Sequence, residues 1–233
     1  MKAVGVHPDV VVVTSRIWQT NATALRAGGE VLLIDSPYFP DKLEVLPALL
    51  RQAGFAPNAL FATHADYDHV LGPLAFPGLT LGVGDHTMER LRTSPGEAQR
   101  ELRDEDSRQY VVRDKPLALG SLQSLPVPGY LELGDIELEL HVADGHTSDG
   151  TALFARSMGV LVVGDYLSDV EIPWISPGGS IEVYQATLAR LAPLVEASET
   201  IVPGHGSPHT RDTALRLIDR VPTSRDDGQD DQK

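Results

Sequence analysis

The run His64-Ala65-Asp66-Tyr67-Asp68-His69 puts four metal-binding side chains into six consecutive positions. Three shorter runs follow: Gly145-His146, Gly164-Asp165 and Pro203-Gly204-His205-Gly206. Each comes after, or almost after, a short apolar stretch that reads as a strand. Imidazole and carboxylate groups gathered at strand ends are what a divalent cation requires. Glycine beside them lets the backbone turn sharply and approach a metal cluster closely. Any one run, taken alone, also fits an ordinary turn with a capping aspartate and a surface histidine. Four in this order point to a metal-dependent enzyme.

The stretches between the runs suggest how the chain brings them together. Residues 10–14 form a β-branched, buried strand, and residues 21–26 and 31–34 flank Gly28-Gly29 as a hairpin. Residues 42–53 carry Leu43, Leu46, Leu50 and Ala53 on one helical face, and Gly54 stops the helix. Short strands follow at 59–63 and 79–83. Residues 85–110 are strongly polar and predict exposed helices laid over the body. Two strands lie around Gly134-Asp135 within 131–142, and a second hairpin, 151–155 with 160–163, turns at Met158-Gly159. A helix at 181–195 turns Tyr184, Leu188, Leu191 and Val195 inward. A strand at 200–202 and a helix at 210–220, buried on Ala214, Leu217 and Ile218, complete the order. Strands followed by a helix, in both halves, predict an α/β fold of two similar sheets packed face to face with helices outside. Residues 222–233 are polar and predict a disordered tail.

Composition narrows the function. With 233 residues and 42% hydrophobic content, a single domain with a real core is expected. The formal net charge of −14 and the lack of a Lys/Arg cluster argue against nucleic acid as partner. They leave small-molecule substrates open, because bound cations reverse the local field. Without cysteine, thiolate ligands, thiolate nucleophiles and disulfides are excluded. Residues 1–7 lack a signal-like apolar stretch, and no apolar run approaches ~20 residues. A cytoplasmic protein with no membrane contact is therefore expected. Oligomeric state is not legible.

The four runs resemble the metallo-β-lactamase superfamily, whose signature is His-x-His-x-Asp-His after a strand, then Gly-His-Thr, Gly-Asp and a C-terminal Gly-His. Here these read Thr63 to His69, Asp144-Gly145-His146-Thr147, Val163-Gly164-Asp165 and Pro203-Gly204-His205-Gly206. Leu33-Ile34-Asp35-Ser36 resembles the family's early strand ending in aspartate. The resemblance implies a four-layer αββα sandwich over residues 1–221, with a helical insertion at about 85–115. It also implies two divalent ions, zinc first, with manganese or iron as alternatives. One ion would be held by His64, the residue at 66 and His146. The other would be held by Asp68, His69 and His205, with Asp165 bridging.

One departure stands out: Asp66 occupies the place of the family's second histidine. An anionic oxygen donor replaces a neutral nitrogen, which makes the first site harder and leans toward manganese or iron. The other reading is that Asp66 is no ligand and the first site is weak. Two ions ~3.5–4 Å apart that share a water lower its pKa toward ~7, and Asp68 is the expected catalytic residue, accepting a hydrogen bond from the resulting hydroxide. Asp35 reads either as the carboxylate that orients a ligand imidazole or as a turn cap before Pro37.

Tyr67, Tyr166 and Trp174 read as pocket walls or as plain packing. Residues 167–180, with Pro173, Pro177, Gly178 and Gly179, read as a functional loop. His7 falls near a frayed terminus, His141 at a strand end and His209 at a solvated helix start. His86 reads as a surface residue, or as one that enters the pocket from the polar helices, and Asp149 as a turn residue. The leading expectation is a metal-dependent hydrolase of a small ester, lactone, thioester or phosphoester. An iron-dependent oxidoreductase on the same fold, and a non-catalytic binding protein with a degenerate site, are the alternatives.

Overall fold

Val10, Val11, Val12 and Val13 are all buried. Alternate side chains of a strand point to opposite faces, so four buried neighbours require cover on both sides. The computed structural model, which describes residues 1–171 and 174–220, supplies that cover. One sheet is built in the order β1 (Lys2–His7), β2 (Val10–Thr14), β3 (Asn21–Ala27), β4 (Glu30–Ile34), β5 (Ala59–Ala62), β6 (Leu81–Gly84) and β7 (Leu122–Leu125). Its first four strands are antiparallel and its last four parallel. The other sheet runs β13 (His209–Thr210), β12 (Thr200–Val202), β11 (Val160–Val162), β10 (Thr151–Ala155), β9 (Ile136–Val142) and β8 (Gly129–Leu133), antiparallel except for β11 with β12.

The alternation sorts the side chains into layers. Val10, Val12, Leu25, Leu32 and Phe61 meet Leu138, Leu140, Leu153 and Val162 between the sheets. The opposite face of the first sheet, with Val11, Val13, Ala24 and Leu33, packs under α1 (Pro40–Gln52), α2 (Gly72–Ala75), α3 (Asp85–Thr93) and α4 (Glu97–Arg108). The opposite face of the second, with Phe154, Leu161 and Ile201, packs under α5 (Ile181–Glu196) and α6 (Arg211–Arg220) through Tyr184, Leu188, Leu191 and Ala214. The result is the four-layer helix–sheet–sheet–helix sandwich that the motif order predicts.

The polar α4 is tethered rather than loosely laid down. Asp106 accepts a hydrogen bond from the hydroxyl of fully buried Tyr38 at 2.5 Å, and Arg113 donates to Asp106 and to the Tyr38 carbonyl. Ala98 and Leu102 supply its buried apolar contacts.

Edge elements differ most from expectation. His7 ends β1, which pairs with β2 instead of fraying. His209 does not open the last helix in water: it lies in β13, buried, with Nε2 3.0 Å from the Leu167 carbonyl. Strands β1 and β7 lack the apolar alternation of a half-buried strand, since each carries exposed or half-buried side chains throughout. The expected tail at 222–233 lies outside the described residues. Among the described residues, no helix is long and apolar enough to cross a membrane.

Candidate metal centre

The segments leaving β4, β5, β9, β11 and β12 meet at one end of the sandwich. Backbone bonds join the two sheets there: Thr151 N–H donates to the Thr63 carbonyl, and Asn21 N–H donates to the Gly204 carbonyl, both at 2.8 Å. Gly204 shows why glycine is required. A Cβ there would lie 2.3 Å from Asp165 Oδ1 and 2.8 Å from His69 Cε1. Gly145, at φ 117°, passes equally close to the start of α5.

The run 64–69 does not stay extended after β5, so alternation does not set its directions. It is a series of turns closed by His69 N–H donating to the Asp66 carbonyl. As a consequence the run splits. His64 and Asp66 group with His146, while Asp68 and His69 group with His205. Asp165 stands between the groups and turns one oxygen to each. Oδ2 is 3.7 Å from His64 Nε2 and 3.2 Å from His146 Nε2. Oδ1 is 3.1 Å from His69 Nε2 and 3.7 Å from His205 Nε2. Asp66 Oδ2 lies 3.7 Å and 3.5 Å from His64 and His146, and Asp68 Oδ2 lies 3.2 Å from His205. All seven proposed ligands therefore converge.

Each histidine is held by its other ring nitrogen. His64 Nδ1 is 3.0 Å from Thr63 Oγ1, and His69 Nδ1 is 3.0 Å from Asp35 Oδ2. His146 Nδ1 is 2.5 Å from the Trp174 carbonyl, and His205 Nδ1 is 2.9 Å from the Trp18 carbonyl. An acceptor at Nδ1 keeps a proton there and turns Nε2 toward the cluster, where its lone pair would meet a cation. Asp35 is the hub of this support. It accepts from Thr63 N–H at 2.8 Å and Thr63 O–H at 2.9 Å as well as from His69, so it does not serve as a turn cap. Its φ of 56° is a left-handed conformation that aspartate tolerates better than most residues.

The donors fit divalent cations. His64 Nε2, His69 Nε2, His146 Nε2 and Asp165 Oδ1 are buried with no hydrogen-bond partner among the described residues. Buried polar atoms left unpaired are rare and costly, and four gathered within these two groups are what bound cations would satisfy. The electrostatics agree. Burial disfavours a charged imidazole and holds His64 below its ordinary range. Against that same burial, Asp165 and Asp66 push His146 up to about 10, and Asp165 and Asp68 push His205 up to about 9. Asp165 itself, despite burial, is held well below the carboxylate range by His69 and His205. The cluster is short of positive charge.

The extra charge of Asp66 has a partner that the sequence did not disclose. Arg90 of α3 donates from Nη1 to Asp66 Oδ1 at 2.8 Å and to Asp149 Oδ1 at 2.9 Å. Asp149, expected to be a simple turn residue, is buried and accepts from Ala65 N–H at 2.8 Å. Ser176 O–H donates to Asp66 Oδ2 at 3.2 Å. Asp66 is thus fixed on both oxygens.

A cavity of about 1150 Å³ opens over the cluster, with Asp66, Asp68, His146, Asp165 and His205 on its floor. Tyr67 and Trp174 line it. Tyr166 does not: it is buried, stacked on Tyr184 at 4.4 Å, and its hydroxyl is spent on the Asp144 carbonyl. That hydroxyl is too deep to reach a substrate. His86 is exposed at the start of α3, off the cavity wall. His141 is part-buried, with Nε2 3.0 Å from Glu139. The loop after Asp165 brings Glu171, Trp174 and Ser176 to the cavity, while Pro173 lies outside the described residues.

The sequence profile of the metallo-β-lactamase superfamily matches residues 16–205, and the chain belongs to that superfamily. Solved structures share the fold at low identity. A metallo-β-lactamase from Pontibacter korlensis is 14% identical with a TM-score of 0.72, over 94% of this chain and 98% of that one. A metallo-β-lactamase family protein from Thermus thermophilus is 19% identical with a TM-score of 0.69, over 92% and 80%. The DIM-1 metallo-β-lactamase is 16% identical with a TM-score of 0.67, over 94% and 95%. No curated protein sequence matches the chain.

Proposed function

We propose that this protein is a dinuclear metal-dependent hydrolase of a small ester, lactone, thioester or phosphoester. The observation that carries the reading is the Asp165 carboxylate, which turns one oxygen to each of two histidine pairs on the floor of an open cavity. Divalent cations held there, zinc first, would supply Lewis acidity and a water acidic enough to attack at neutral pH.

The chain's own groups would do the rest. Asp68, with its carboxylate at the cavity floor, accepts the water's proton or hydrogen bond and orients it. His64, His69, His146 and His205 have their Nε2 atoms turned inward because their Nδ1 atoms are held, and they would bind the cations there as neutral imidazoles, the metals taking the place of Nε2 protons. The cavity admits a small molecule, and the net charge of −14 disfavours a nucleic-acid substrate.

Purified protein, prepared without chelator, should contain two equivalents of zinc by elemental analysis. It should turn over at least one member of a panel of esters, lactones, thioesters and phosphoesters. One specific observation favours a second reading, since the oxygen donor Asp66 also suits iron. Iron in place of zinc, with no hydrolysis of the panel, would replace the hydrolase with an oxidoreductase.

A further inference from the structure

The loop after Asp165 returns to the metal centre through one short segment. Residues 174–180 lie in no strand or helix, and main-chain bonds seat them on Gly145-His146. Ser176 N–H donates to the His146 carbonyl and Ser180 N–H to the Gly145 carbonyl, both at 2.9 Å. The fit is close, since a Cβ on Gly179 would lie 2.4 Å from each of those two carbonyl oxygens.

Two further contacts go to side chains that would hold the first ion. His146 Nδ1 is 2.5 Å from the Trp174 carbonyl, and the buried Ser176 O–H donates to Asp66 Oδ2 at 3.2 Å. Asp66 Oδ2 is also the oxygen nearest His64 and His146. Among the described residues, nothing in 174–180 bonds to the second group. His69 is held there by Asp35, and His205 by the Trp18 carbonyl and Glu171. The segment thus serves one half of the centre. It also carries Trp174, 72% exposed, which lines the cavity.

These contacts tie metal and wall together in both directions. An imidazole that binds a cation through Nε2 is a stronger donor at Nδ1, because charge strengthens a hydrogen bond. Ligands already held in place lose less freedom on binding. Such coupling is reciprocal: whatever the segment adds to cation affinity, the cation returns to the order of the segment.

We propose that residues 174–180 position the first metal site alone, with Ser176 the positioning residue for Asp66 and His146. Filling that site and setting the Trp174 wall of the cavity are then one event. This rests on the dinuclear reading above and adds how its two ions differ, since only one of them shapes the cavity.

The test uses the full chain, stripped of metal, with zinc alone as the probe. The readout is hydrogen–deuterium exchange at the amides of Ser176, Gly179 and Ser180. His205→Ala keeps the first group intact, and His64→Ala keeps the second. Saturating zinc should slow these amides about tenfold in His205→Ala and leave them unchanged in His64→Ala. Adding Ser176→Ala to His205→Ala should weaken zinc binding about tenfold, whereas adding it to His64→Ala should change nothing. Ser176→Thr, which keeps the hydroxyl, should restore the affinity. Equal slowing in both histidine variants, slowing in neither, or an equal Ser176→Ala loss in both would overturn the proposal. Should a histidine variant fail to fold, the wild type carries the test. Zinc should slow the three amides there, and Ser176→Ala should weaken one equivalent of zinc and spare the other in competition with a chromophoric chelator. Amides indifferent to zinc, or equal weakening of both equivalents, would overturn the proposal. Amides that respond as expected, with no ester, lactone, thioester or phosphoester hydrolysed, would keep the coupling and sink the hydrolase. Hydrolysis with indifferent amides would do the reverse.

Discussion

Arg90 Nη1 lies 2.8 Å from Asp66 Oδ1 and 2.9 Å from Asp149 Oδ1, so a single nitrogen from α3 joins a candidate metal ligand to the carboxylate that holds the backbone of Ala65. Asp149 is buried. Removing the guanidinium leaves two carboxylates facing each other without a cation. Arg90→Met should therefore cost about 3 kcal/mol, in the range for breaking a buried pair by deleting one partner. The measurement is urea unfolding of the metal-free protein. The double variant Arg90→Met with Asp149→Asn should recover part of that loss, because the amide still accepts from Ala65 N–H and one uncompensated charge is gone. Fully additive losses would count against the shared role.

Asp165 is expected to decide whether the centre holds two ions or one. Its oxygens face different histidine pairs. Asparagine keeps the shape but offers only one oxygen and no charge. Asp165→Asn should fall from two equivalents of zinc to one or fewer on elemental analysis after dialysis against metal-free buffer. Two retained equivalents would show that the carboxylate is not the bridge.

Asp35 is not itself a proposed ligand, yet it serves both groups. It accepts from His69 on one side, and on the other it accepts from Thr63 O–H, whose oxygen faces His64 Nδ1. Partners of this kind are worth about 10- to 100-fold in metal affinity. Asp35→Asn should weaken zinc binding by that factor in a competition titration against a chromophoric chelator. An unchanged titration would make Asp35 a purely structural residue.

The candidate ligands were legible in the sequence because each sits in a short run at the end of an apolar strand. The order of elements, strands and then a helix in each half, also pointed to the layers, which Val10 and Val12 on one face and Val11 and Val13 on the other help to fill. What surrounds the ligands was not legible, because its contacts are made at long range. Arg90 meets Asp66 from 24 positions away, and Asp149 reaches Ala65 over 84. Nothing local marks either residue as a partner of the metal run. Tyr166 follows a candidate ligand directly and still points into the α5 interface, since adjacency in sequence does not fix direction once the chain turns at Gly164. Strands β1 and β7 are not legible because their side chains are exposed or half-buried throughout, so no apolar alternation marks them.

Asn21 gives the last prediction, and it links sheet packing to the site. The residue is buried at the start of β3, in the sheet opposite His205. Its Nδ2 donates to the Pro203 carbonyl at 2.8 Å and to the Gly206 carbonyl at 2.9 Å, and its Oδ1 accepts from Thr14 O–H at 2.7 Å. One side chain thus brackets the loop that carries His205. Alanine would leave two carbonyls and a hydroxyl without that partner in a buried place, each costing about 1–3 kcal/mol unless water enters. Asn21→Ala should lose at least about 3 kcal/mol in urea unfolding on that basis. Its effect on metal should be lopsided. His205 belongs with Asp68 and His69, so the second ion should be weakened while the site of His64, Asp66 and His146 keeps its affinity. Cobalt titration followed by visible absorption should resolve the two sites, and equal weakening of both would mean that Asn21 supports the sandwich as a whole rather than the His205 loop.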